Sequence, residues 1–97
     1  PKDEIASINA AMPALSRNDL VSAERYLKMV NAHKQLPEYS NAMGVLMLLK
    51  GDYEHAEEYL KAAAEAGLEA AGQNLEELAT KRTNAAEIEK KNKNRDK

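Results

Sequence analysis

Asn18-Asp19-Leu20-Val21-Ser22-Ala23-Glu24-Arg25-Tyr26-Leu27-Lys28 and Gly51-Asp52-Tyr53-Glu54-His55-Ala56-Glu57-Glu58-Tyr59-Leu60-Lys61 are one pattern written twice. Asp, Ala, Glu, Tyr, Leu and Lys recur without gaps at an offset of 33 residues, six identities in eleven. Self-similarity at a fixed period of roughly 20 to 50 residues marks a repeat architecture, in which no single unit buries its own apolar face. Each copy predicts a turn followed by an amphipathic helix. Asp19 and Asp52 are placed to accept from the free N–H groups of a first turn, and Ala23, Leu27, Val30 or Ala56, Leu60, Ala63 fall on one helical face. Glu24 with Lys28, and Glu57 with Lys61, have the i,i+4 spacing that adds a few tenths of a kcal/mol each.

Outward from the two turns, a helical segment precedes each, from about Asp3 to Ser16 and from Pro37 to Lys50, which gives two helix hairpins. Pro37 suits a first helical turn, where its missing N–H costs nothing. Pro13 lies well inside the first segment, where the expectation is a kink or a shortened helix. Gly67 can take the left-handed conformation that ends a helix. A fifth helix is expected from about Glu69 to Arg82, with Ala71, Leu75 and Leu78 inward and Gln73, Glu76, Glu77 and Lys81 forming the polar face of a terminal cap. From Asn84 on, apolar residues thin to Ala85, Ala86 and Ile88, so 84–97 reads as a polar, basic, frayed tail.

Composition agrees with an all-α chain. The 43% apolar content contains no Phe and no Trp, and at 97 residues there is material for one core. Without cysteine there is no disulfide framework, no thiolate metal site and no cysteine nucleophile. The longest apolar run, Ala42 to Leu49, is far shorter than the roughly 20 residues of a membrane helix. The chain begins at Pro1 rather than Met and is expected to be a piece of a longer protein; if bacterial, cytoplasm and periplasm are equally open. The formal charge of −2 divides unevenly: residues 1–80 hold seven Lys/Arg against thirteen Asp/Glu, and residues 81–97 hold seven against three.

The second unit resembles a tetratricopeptide repeat (TPR). Met43-Gly44 is similar to the Leu-Gly pair of that motif, Gly51-Asp52-Tyr53 to its inter-helix turn, and Ala56, Leu60 and Ala63 to its second-helix packing residues. Small side chains at Gly44 and Ala56 are expected where the two helices cross. The chain departs from the motif at Ser40, Met47 and Leu68, and its first unit, with Ala11 at the glycine position, is more degenerate. The stretch from Lys61 to Leu75 is also similar to the unit junction of Sel-like repeats, and the whole layout to modules appended to bacterial cell-envelope proteins. The resemblance implies antiparallel helix hairpins stacked as a short right-handed superhelix. Unit 1 covers about 4–33, unit 2 about 37–66 and a cap about 69–82, within a domain of residues 1–83.

It also implies a non-catalytic module of a larger bacterial protein that binds a peptide or protein segment along a concave face, here Ile5, Ile8, Met12, Glu38, Asn41, Val45 and Leu48. That face is mostly apolar, so a clamp for a terminal carboxylate is disfavoured, and an amphipathic or extended apolar segment is the expected ligand. The Ala42 to Leu49 run has two readings, buried centre or exposed groove, and the alternative function is a spacer or self-association element. No catalytic or metal-binding pattern is read. His33 and His55 belong to no ligand spacing, neighbouring pairs such as Glu57-Glu58 point apart on a helix, and the four glycines form no phosphate loop. No cofactor is expected. The basic tail lacks aromatics for base stacking and is interrupted by acids, so nucleic acid is not expected as a partner.

Overall fold

In the computed structural model the backbone is described for residues 4–30 and 36–95, and side chains for 6–30 and 36–88. Five helices follow in order: α1 (Glu4–Ser16), α2 (Leu20–Lys28), α3 (Pro37–Lys50), α4 (Tyr53–Glu65) and α5 (Glu69–Arg95). The protein is all-α, with no strand among the described residues. Ile5 lies in α1 with its side chain outside the described residues, and His33 lies outside them altogether.

The 33-residue echo is an echo of backbone geometry. At the end of α1 the N–H of Asp19 bonds the carbonyl of Ala14 and that of Asn18 bonds Leu15, at 2.8 and 3.0 Å. At the end of α3 the N–H of Asp52 bonds Met47 and that of Gly51 bonds Leu48, at 2.9 and 3.1 Å. Both are the paired closing bonds of a helix whose next residue turns left-handed. That residue is Asn18 at φ 61° in the first turn and Gly51 at φ 86° in the second. Asparagine is the side chain that best tolerates this region, so Asn18 can stand where the second unit has glycine. The following aspartates then cap the next helix: Asp19 accepts from the N–H of Ser22 at 3.2 Å and Asp52 from that of His55 at 3.3 Å.

Small residues set the helix spacing. A Cβ on Gly44 would lie 2.5 Å from Leu60 Cγ and 3.3 Å from the carbonyl oxygen of Ala56, so an added side chain at this crossing of α3 and α4 would force Leu60 to shift. The matching residues of the first crossing are Ala11, Ala23 and Leu27, all buried. Each α3–α4 residue of this trio lies 33 positions after its counterpart.

Among the described residues α3 alone touches all four other helices, which decides the fate of the apolar run. Ala42, Gly44, Leu46 and Leu48 are buried, and Met43, Val45, Met47 and Leu49 are half-buried. Ala42 and Leu46 join Ile8, Ala11, Leu15, Ala23 and Leu27 in one core. Leu48 joins Ala56, Leu60 and Leu78 in a second, with Met47 packed against both.

Two sequence expectations change. α1 runs through Pro13 and ends three residues beyond it. Pro13 and Asn9 are both exposed, so the carbonyl that loses its donor faces water and the cost stays small. α5 continues thirteen residues past Arg82, to Arg95. After Gly72 it contains neither Gly nor Pro, and Glu87/Lys91 and Glu89/Lys93 carry the i,i+4 order that supports an unsupported helix. Acidic residues lead and basic residues end this helix, the order that complements its macrodipole.

Candidate protein-binding face

Three residues of the expected concave line are spent on the core. Ile8 is 2%, Asn41 5% and Leu48 3% exposed. Met12, Glu38 and Val45 are half-buried, and Met12 and Val45 pack against the first core. Asn41 has a structural partner: Asn74 Nδ2 donates to its Oδ1 at 2.8 Å, joining α3 to α5 across another interval of 33 residues. Ile8, Asn41 and Asn74 therefore hold one place in three successive first helices, apolar in the first and hydrogen-bonded in the other two.

Ion pairs repeat the same logic. Glu24 meets Lys50 of α3 at 3.1 Å. Its counterpart Glu57 meets Arg82 of α5 at 3.4 Å and also Lys61 at 3.6 Å. α5 is thus seated on the second hairpin much as α3 is seated on the first. The pairs are half-exposed and each adds little stability, so their value here is as markers of register.

Grooves are present along α2 and α4. One groove of about 620 Å³ is lined by Pro37, Tyr39 and Ser40 of α3 and by Glu58, Tyr59, Ala62 and Ala66 on and just beyond α4. A smaller crease of about 150 Å³ shares Tyr39 with it and is lined by Met43 and Met47 of α3 and by Leu27 and Lys28 of α2. Loss of water around Tyr39 raises its hydroxyl above the ordinary tyrosine value, with Tyr59 adding to the effect. Two aromatic rings, two thioethers and a floor of alanines make a surface that can accept an apolar side chain and adapt to its shape.

Beside this groove, α2 presents an unusual outer face. Val21 is 73% and Met29 68% exposed, and with Tyr26 they are three of the four large exposed apolar side chains among the described residues. Sequence reasoning missed this face because it concentrated on the positions that the two repeats share. The signal lay in the positions where they differ: Val21 against Glu54 and Arg25 against Glu58.

One polar pair stands at the second turn. Asp52 Oδ2 lies 2.6 Å from His55 Nδ1 while Oδ1 caps α4. The hydrogen bond to the His55 side chain, then that to its backbone, holds the Asp52 carboxyl below its ordinary value, and the same bond raises the His55 imidazole. The pair is exposed and serves the helix start. Among the described residues no group of three or more His, Asp or Glu is placed to hold a metal ion, and no helix is long and apolar enough to cross a membrane. No family model, no curated protein and no solved structure matches the chain.

Proposed function

We propose that this chain is a non-catalytic protein-interaction module of TPR-like construction, which holds a segment of another protein on the side formed by α2 and α4. The observation that carries this reading is the groove between Tyr39 and Tyr59, which shares Tyr39 with the Met43–Met47 crease. An aromatic and methionine-lined trough on rigid helices matches the way helical modules receive an apolar side chain of a partner segment. The repeat of 33 residues, the small residues at both helix crossings and the seating of α5 support the TPR-like part of the reading. The groove lies between α3 and α4, and the neighbouring crease between α3 and α2. It replaces the line through Ile8, Asn41 and Leu48, whose side chains are committed to packing.

Selection of displayed protein fragments on the dilute, immobilised chain tests this. The expected result is a retained set of fragments that is lost when Tyr59→Ala or Ala62→Glu is used instead, both at positions outside the core and both checked for helical content. A retained set that is indifferent to these changes, or no retained set at all, contradicts the reading.

A further inference from the structure

The outer faces of α2 and α4 occupy equivalent places, 33 residues apart, and carry opposite chemistry. On α2 the face consists of Val21, Arg25, Lys28 and Met29; on α4 the same positions are Glu54, Glu58, Lys61 and Ala62, with Glu65 one turn further. The first is basic and apolar. The second is acidic, and beyond Ala62 it opens into the Tyr59 groove. Buried positions of the two helices match closely: Ala23 with Ala56, Leu27 with Leu60. The outward sides differ in charge, while among the inward positions Leu20 stands against Tyr53 and Val30 against Ala63. A large apolar side chain as exposed as Met29 needs a cover or tolerates water, and among the described residues α4 offers both an apolar recess and acids to meet Arg25.

We propose that this flank is the interface of a symmetric homodimer, in which α2 of each copy lies along α4 of the other. This deepens the protein-binding reading above and rests on it, naming a second copy of the chain as the partner. Laid in the same direction, the two helices bring Arg25 opposite Glu58 and Met29 opposite Ala62 with the Tyr59 groove beside it, while Val21 comes level with Glu54 and Lys28 with Lys61. Two-fold symmetry makes each contact twice and uses both faces, so the assembly closes at two copies instead of growing into a filament. Arg25 and Glu58 are both exposed in the single chain, so exchanging their charges leaves the cores untouched.

The test is sedimentation equilibrium of the full chain from about 1 μM to about 1 mM, the range that separates tight from weak association. It is run on the parent, on Arg25→Glu, on Glu58→Arg and on an equal mixture of the two variants. The parent is expected to pass from monomer to dimer and no further. Each variant alone places like charges opposite each other twice and is expected to dimerise at least about tenfold more weakly. In the mixture both pairs are again of opposite charge, so dimer returns, and it is a heterodimer. A parent that stays monomeric throughout, variants that dimerise as the parent does, or a mixture that does not recover each overturns the proposal. Fragments still retained in a Tyr59-dependent manner by a monomeric parent would place the failure in the identity of the partner, leaving the protein-binding reading intact.

Discussion

Gly44 and Gly72 are both helical glycines and should respond in opposite directions to the same change. At Gly44 an added methyl meets Leu60, a side chain with no exposed surface, and the Ala56 carbonyl. Overpacking of this kind costs about 1 to 3 kcal/mol, partly offset by about 1 kcal/mol of helix propensity. Gly44→Ala is therefore expected to lower the urea midpoint. At Gly72 nothing lies within 4 Å of the added Cβ, so Gly72→Ala should raise stability by roughly 0.5 to 1 kcal/mol. Asn41 makes a second contrast. Asn41→Ala leaves the Asn74 amide without its acceptor, and a loss of about 1 to 3 kcal/mol is expected in denaturant unfolding. Replacing both asparagines by leucine removes the unmet polar group as well and should recover most of that loss.

Among the elements, α4 has a start that responds to pH and α5 an end that does not matter to the core. The His55 imidazole is raised by Asp52, so its contribution is full where histidine is protonated even in the unfolded chain and fades as pH rises through the raised value. The Asp52 carboxyl is depressed, so its contribution is present at neutral pH and is lost as pH falls through the depressed value. Urea unfolding of the parent and of His55→Ala at a series of pH values should show a difference in mildly acidic solution that disappears on the alkaline side. For α5, residues Thr83 to Ile88 are exposed, and truncation after Thr83 is expected to lower helical content while leaving the unfolding midpoint nearly unchanged. The helices were legible in the sequence because both repeats carry their own stop and start signals: Asn18-Asp19, Gly51-Asp52, Pro37 and Gly67. The end of α5 was not, since Thr83 to Ile88 are exposed and carry no packing pattern, and composition read as a tail is equally good helix composition. Pro13 misled for a related reason. A proline rule written for a buried helix overstates the cost where the freed carbonyl faces water.

At the scale of the whole molecule, the structure extends over 58 × 27 × 19 Å, with α3 at the centre of two small cores. Interval 33 explains more than the sequence identities that revealed it. It relates the crossing residues Ala11 and Gly44, the stacked positions Ile8, Asn41 and Asn74, and the acids Glu24 and Glu57 that hold the next helix. It does not tell which side of the stack is free, because burial at Ile8, Asn41 and Leu48 depends on how closely neighbouring hairpins approach, a quantity set jointly by many small side chains. The flank of α2 and α4 became visible only with exposure at each residue known. The measurement that tests the account most directly is the amide spectrum of the isotope-labelled chain as a binding protein is added, its own unlabelled copies first. Binding along α2 and α4 predicts shifts concentrated in residues 21–29, 37–43 and 54–66. Shifts centred instead on Met12, Val45 and the part of α5 beyond Arg82, with α2 and α4 unmoved, would contradict it.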